Sequence, residues 1–497
     1  MDHRFPPTIL LALAGMLSTA PPTTAQLIPI RTVPVASGDQ FRLLASETMG
    51  MGGVRYALDD SLADPWQNPA RGSLRRESVF MGSPTFYSIS ERGGSGRSFP
   101  VAGMFVGSRW FGGASLALQQ IENTNAGRGF PLPEPGPSLC CGAARTLEDR
   151  FGRNVYAAGF VGRRLGAGPW SVGIGVSAAT LEMMGGVSLL YAGADRIEQS
   201  GGVSDFRLGV YRDGEHDRFS FLAIHNRVAM THDVTFTDRF WDDVLNTTVT
   251  ESRTERNQDQ THTWGGQATW SRSLRTPGWR IGASATVNHK SHPKIPNYSL
   301  QNIPRDPGTT WAYEVGFGFS MSEAATTFAM DIALQPIWSK TWQVANSADV
   351  AASQGRLSVG DRSIENEFFF TNVVIRSGLS HQIGIVGLQS GIEVRSYDYQ
   401  MDQVNRVEGT FRDLDQSWVE WSPTFGIVFS LATLDLRYAG RVTTGTGRPG
   451  IGATPTFGPG EQLLGGEADF ILAPEGPLTL LDARVFTHQI SVTIPVR

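Results

Sequence analysis

The chain has 497 residues and a net charge of -5, a balance that argues against a nucleic-acid partner. Beyond its N-terminal stretch no apolar run approaches the ~20 residues a membrane helix needs, so a single-pass helical membrane protein is excluded. No composition break or linker divides the chain, which favours one large domain.

Met1 to Ala25 carries Arg4, an apolar core from Ile9 to Leu17, and Thr23, Thr24 and Ala25 before Gln26. This is the pattern of a cleavable secretory signal, and no cysteine follows it to anchor a lipid. The next informative stretch is Ser46 to Gly72, SETMGMGGVRYALDDSLADPWQNPARG. Gly50, Gly52 and Gly53 permit a tight chain reversal, and Asp59 and Asp60 precede Trp66, Asn68, Pro69 and Ala70.

From about Glu77 onward, apolar and polar residues alternate in strand-length runs. Trp279, Ile281, Ala283, Ala285 and Val287 share one face, and Arg280, Gly282, Ser284 and Thr286 the other. Trp311 to Met321, Phe328 to Gln335, Leu434 to Val442 and Phe486 to Val496 repeat the pattern. The last run ends in Arg497 and not in an aromatic. A soluble sandwich would alternate too, so connection lengths must decide. Tight turns are expected near Leu165–Gly168, Asp213–Glu215, Leu274–Gly278, Ser322–Ala325, Ser380–Gln382 and Leu431–Thr433. Long loops are expected over residues 122–152, 183–202, 232–259, 291–308, 344–365, 401–414 and 445–482. Strict alternation of short and long is the signature of an outer-membrane barrel, with periplasmic turns and extracellular loops. Trp110, Trp170, Trp279, Trp311, Trp338 and Trp421 fall near strand ends, where an aromatic girdle belongs.

The fold class read from this is all-β: a transmembrane antiparallel barrel of about sixteen strands, both chain ends periplasmic. Its domains are a signal peptide over 1–25, an N-terminal plug over 26–75 and the barrel over 76–497. Alternation sends Arg280, Glu314, Asp331, Glu393, Arg395, Glu420, Asp435, Arg437 and Arg441 into the lumen. Such a wall is wet, and it could line a pore or hold the plug by salt bridges to Asp59, Asp60, Arg71 and Arg75.

The Ser46–Gly72 stretch resembles the outer-membrane barrel family that contains FadL-type fatty-acid transporters and PorV-type secretion shuttles. That resemblance rests on the glycine pair, the acidic residues and the aromatic followed by Asn-Pro-Ala; Gln67 and Arg71 depart from it. It implies about fourteen strands, taking some of Glu77–Ser90 and Pro100–Arg109 into the plug. It also implies plug-gated passage of hydrophobic compounds, with Gly50, Gly52 and Gly53 as hinge and Asn68, Pro69 and Ala70 as gate. Phe130, Leu132, Leu189, Leu190, Phe240 and Trp241 are the loop groups that could capture such a cargo.

The implied partners are outer-membrane lipid, the barrel-assembly machinery and either a hydrophobic small molecule or an exported protein. The implied location is the outer membrane of a Gram-negative-type bacterium. The alternatives are a PorV-like shuttle that binds exported proteins and a purely structural barrel. An outer-membrane hydrolase is not expected, because His225, His262, His289 and His488 form no motif with a serine. No cofactor is expected, and metal-binding Cys or His spacing is absent. Adjacent Cys140 and Cys141 lie in a Pro/Gly-rich loop, where a vicinal disulfide would act as a loop clasp.

Overall fold

The computed structural model describes residues 27–91, 93–123, 150–187, 194–242, 246–292, 308–345, 350–352, 355–449 and 480–496. The expected signal peptide and Cys140 and Cys141 lie outside the described residues, as do Phe130, Leu132, Leu189 and Leu190.

The first wall strand, β1, runs as two pieces, Ser78–Gly82 and Thr85–Ile89. Both pieces pair with the same two neighbours, so they are one strand interrupted at Ser83 and Pro84. Pro84 lacks the N–H that the ladder needs. The ladder nevertheless carries on around it: Ser83 N–H donates to the Pro100 carbonyl at 3.1 Å, and Ile490 N–H to that of Pro84 at 3.0 Å.

The strands that follow are β2 (Gly94–Val106), β3 (Trp110–Glu122), β4 (Phe151–Arg164), β5 (Trp170–Leu181), β6 (Arg196–Asp213), β7 (Asp217–Asp242) and β8 (Thr247–Ser273). Then come β9 (Trp279–His292), β10 (Gly308–Glu323), β11 (Thr326–Val344), β12 (Arg362–Ile383), β13 (Val386–Asn405), β14 (Thr410–Ser430), β15 (Asp435–Pro449) and β16 (Leu480–Val496). Each pairs antiparallel with the next, and β16 pairs back onto β1 with Ser78 opposite Val496. With β1 taken as one strand, the seventeen segments of the main sheet form a closed barrel of sixteen. Glu77–Ser90 and Pro100–Arg109 thus belong to the wall, and the fourteen strands implied by resemblance do not hold.

The burial pattern decides what surrounds this barrel. In β10, Val315 is 64% exposed and Phe317 50%, whereas Ala312 is 0% and Glu314 4% exposed. The same inversion recurs around the ring: Phe105, Leu116, Leu208, Ile332, Leu388, Phe425 and Ile490 face outward, while Asn288, Gln335, Asn372 and Ser491 are buried. A sandwich in water buries its apolar face. Apolar outside and polar inside is the arrangement for lipid, and closure leaves no unpaired edge to meet hydrocarbon.

Trp110, Trp170 and Trp279 open β3, β5 and β9 at the short-turn end. At the other end Trp264, Trp311, Trp338 and Phe369 stand in one cross-strand row, with Trp338 and Phe369 ring centroids 5.3 Å apart.

Loop lengths are sorted as expected at one end and corrected at the other. Short turns join β2 to β3, β4 to β5 and each later pair up to β14 and β15, all on one rim. On the opposite rim the expected loops at 344–365 and 445–482 hold the start of β12 and the end of β15, and three more are partly strand. Residues 232–242 belong to β7 and residues 247–259 to β8, paired strands of 26 and 27 residues, so Phe240 and Trp241 stand on strand backbone. Residues 401–405 and 410–414 extend β13 and β14, and β6 begins at Arg196 within the third. Polar, threonine-rich runs such as TTVTESRTERN read as loop in sequence, but out of the membrane a hairpin with both faces wet needs no apolar face.

Candidate functional site

Residues 27–77 run through the lumen. Ile28 N–H donates to Asn288 Oδ1 at 2.8 Å and Lys290 Nζ donates to the Ile28 carbonyl at 3.1 Å, both on β9 near the long-loop rim. Val35 forms a parallel bridge with Gly447, and Tyr399 Oη donates to the Thr32 carbonyl at 3.0 Å. The wall begins and ends at the short-turn rim, whereas the described chain starts at the opposite rim. This inner segment, termed the plug for its place in the lumen, therefore runs from one rim toward the other.

Two layers result. Toward the long-loop rim, Ile28 and Ile30 pack on Ile337, Phe368, Phe370 and Tyr399, and Leu43 on Tyr156, Leu181, Met184 and Met230. Below lie ion pairs and, against β1–β4, a further apolar cluster in which Leu62 and Trp66 meet Met81, Met104, Phe111 and Phe160.

The glycine stretch folds into a 3-10 turn, Met49–Met51, that closes through Gly52 and Gly53 at φ of 74° and 73°. It is docked on the wall: Gly52 N–H donates to Thr424 Oγ1 at 2.8 Å, and Thr424 Oγ1 donates to the Gly50 carbonyl at 3.1 Å. A Cβ on Gly52 would lie 2.7 Å from the Ile392 carbonyl oxygen, so left-handed φ and close approach both demand glycine.

Asp60 organises the next turn. Its Oδ1 accepts from Ala63 N–H at 3.0 Å, and its Oδ2 accepts from Ser46 Oγ at 2.6 Å and from Glu47 N–H at 3.0 Å. A one-turn helix, Asp64–Gln67, follows, with Pro65 in its first turn. Trp66 meets Phe160 edge-on at 5.0 Å. Asn68 then caps the 3-10 turn Pro69–Leu74, its Oδ1 accepting from Ala70 N–H at 3.1 Å and its Nδ2 donating to the Phe221 carbonyl at 3.2 Å. Ala70 is fully buried.

Asp59 is the hub of the ionic layer. Arg71 of the plug lies 2.7 Å from it and Arg280 of β9 2.9 Å, and Arg218 of β7 forms a third pair. Burial would raise its carboxyl pKa, but Arg71, Arg218 and Arg280 together hold it below the ordinary value. Asp64 goes the other way. Burial, reinforced by Asp60 and Asp59, pushes it up to about 7 despite Arg71 at 2.8 Å, because Arg71 is shared with Asp59.

The other wall charges meet the plug or one another. Glu314 Oε1 accepts from Arg55 Nη2 at 3.0 Å and Tyr56 Oη at 2.9 Å, and Asp331 Oδ2 accepts from Arg55 N–H at 2.6 Å. Glu420 pairs with Arg31 at 3.2 Å. Arg441 reaches Glu393 at 3.3 Å, with Arg395 at 3.8 Å from the same carboxylate. Arg437 stands 3.7 Å from Glu47, and 3.7 Å from Asp435 at the short-turn rim.

Sequence reasoning missed the residues that make room for the plug. A Cβ on Gly282 would stand 1.8 Å from the Tyr56 carbonyl oxygen, and one on Gly209 1.9 Å from Asn68 Oδ1. Their signal was available: they occupy inward positions of alternating strands where a polar side chain is expected. Arg207 was missed too; its Nη1 donates to the Gln67 carbonyl at 3.0 Å.

No family model matches the chain, and no curated protein matches it. Among solved structures it is similar to a Pseudomonas aeruginosa FadL homologue at 9% identity and a TM-score of 0.44, over 93% of this chain and 100% of that one. The Ralstonia pickettii toluene transporter TbuX gives 11% identity and 0.38, over 94% and 99%. The E. coli ferric-catecholate import receptor Fiu gives 9% and 0.40, over 84% and 82%. The fold itself rests on the strand register and burial given above.

Proposed function

We propose that the chain is an outer-membrane barrel of a Gram-negative-type bacterium in which the N-terminal segment is a plug that governs passage of hydrophobic compounds. The observation that carries this reading is that the lumen is filled by residues 27–77, held by ion pairs and hydrogen bonds as much as by apolar packing. These contacts join the plug to the wall through side chains and leave the barrel's own backbone ladder closed, so such a plug can shift without unfolding the wall. Passage requires the shift.

The apolar layer beneath the long-loop rim gives a hydrophobic cargo a first resting place, and the ionic layer below it resists small polar solutes until the plug moves. In this reading Gly50, Gly52 and Gly53 form the hinge and Asn68, Pro69 and Ala70 the gate. Uptake of a long-chain fatty acid by liposomes holding the purified barrel tests it, with Asn68→Ala, Pro69→Ala as the gate variant. Unchanged uptake in a correctly assembled variant removes the gate from the account.

A second reading, a shuttle for exported proteins, is favoured by the β7–β8 hairpin. Strands of 26 and 27 residues far exceed the ~9–11 that span a bilayer, so the hairpin projects as a platform for a protein partner. Loss of a cross-linked partner on shortening the hairpin would support it.

A further inference from the structure

Between plug and wall lies a cavity of about 360 Å³, within the ~300–1,000 Å³ typical of small-molecule pockets. On its β12–β15 side three guanidiniums converge on one carboxylate, Glu393: Arg376 at 2.6 Å, Arg441 at 3.3 Å and Arg395 at 3.8 Å. The nearest further carboxylates are committed elsewhere, Glu420 to Arg31 at 3.2 Å, while Asp39 reaches only to 4.0 Å from Arg441. Glu314, also on the cavity wall, is engaged by Arg55 at 3.0 Å, so at this corner three guanidiniums share Glu393 as their close carboxylate.

Arg376 is 5% exposed, and its Nη1 has no hydrogen-bond partner among the described residues; Arg395 Nη1 has none either. Buried guanidinium N–H groups without acceptors are costly and rare in native structures. Gln335, also lining the cavity, is 2% exposed and donates Nε2 to Glu314 Oε2 at 2.6 Å. That bond fixes the amide's orientation, since a carboxylate accepts only, and leaves Gln335 Oε1 as an acceptor without a donor.

Two kinds of unmet demand thus share one cavity: N–H donors on cations, and a neutral acceptor. We propose that the cavity is a binding site for a small hydroxylated organic acid, its carboxylate held by Arg376 and Arg395 and a hydroxyl donating to Gln335. A plain fatty acid has the carboxylate but no hydroxyl to donate. The proposal goes beyond the passage reading and does not need it, because binding is measured without flux.

Calorimetric titration of the full chain, purified in detergent and shown folded by heat-modifiable mobility, tests it with gluconate, acetate and inorganic phosphate as probes. Gluconate is expected to bind once per barrel, and at least ~10-fold more tightly than acetate or phosphate. Arg395→Gln, which removes no close ion pair, is expected to weaken gluconate ~10-fold or more while leaving the barrel folded. Absence of gluconate binding to the folded barrel overturns the proposal, as does equal affinity in Arg395→Gln. Equal affinity for acetate or phosphate overturns the assignment of a hydroxylated ligand.

Discussion

Asp59 of the plug and Arg280 of β9, 221 positions apart in the chain, meet at 2.9 Å. With Arg71 and Arg218 on the same carboxylate, this joins the plug to two wall strands through one side chain. Asp59→Asn takes the shared anion from all three, leaving Arg71 to Asp64 at 2.8 Å, Arg218 to Asp213 at 2.9 Å and Arg280 with no other ion-pair carboxylate among the described residues. We expect it to weaken plug docking by about 2 kcal/mol, the scale of a partly buried pair broken on one side, with the wall unchanged. Hydrogen exchange of amides in residues 46–72 checks this, since faster exchange there must come without change in the β-strand amides.

Much of this architecture is legible in the sequence. Period-two alternation places Trp311, Tyr313, Val315 and Phe317 outside and Glu314, Gly316 and Gly318 inside, because a strand's side chains have no third direction to take. The same rule lines up the lumen charges. What it does not supply is which charges meet, since Asp59 finds Arg218 and Arg280 only once the ring closes and the plug threads it. Gly52 is docked against Thr424 and Ile392, a contact with Thr424 across 372 positions that no local pattern encodes. The hairpin beyond residue 232 reads as loop because its polar composition carries no alternation to detect.

Wall glycines give a second test. A methyl at Gly282 would collide with the Tyr56 carbonyl oxygen at 1.8 Å, and neither backbone can yield without losing its ladder or the Asp331 contact. Gly282→Ala is expected to displace the plug around Tyr56 while the barrel assembles. Limited proteolysis then cuts within residues 46–72 faster than in wild type, at unchanged strand content by circular dichroism.

The plug is expected to respond to pH through two carboxylates of opposite habit. Asp64, raised by burial to about 7, favours docking below its unfolded value near 3.8, and that contribution is lost as pH climbs through about 7. Asp59, held low by its arginines, contributes above 3.8 and is lost on acidification. Between pH 5 and 8 Asp64 titrates while Asp59 stays charged, and Glu47, also raised by burial and by Asp60, acts in the same direction, so docking weakens as pH rises, in part along a slope set by Asp64. Asp64→Asn removes that slope while keeping an acceptor for the Asp60 N–H. Amide exchange of the plug at the two ends of that range distinguishes the variant from wild type.

The outward face makes its own prediction. Val315 is 64% exposed at mid-strand in β10, so Val315→Arg puts a cation into the apolar band. A loss of about 2–4 kcal/mol in bilayer unfolding experiments is expected if the site lies near the midplane. Val315 points outward and loses no inward contact, so a loss of this size comes from lipid.

The most direct measurement is solute uptake by liposomes carrying wild-type and Asp59→Asn barrels, with a long-chain fatty acid and a small hydrophilic solute compared side by side. Plug gating predicts that wild type passes the fatty acid and excludes the hydrophilic solute, and that Asp59→Asn admits both. Flux of neither solute through either folded barrel would contradict the account and leave the plug a permanent part of the wall's interior.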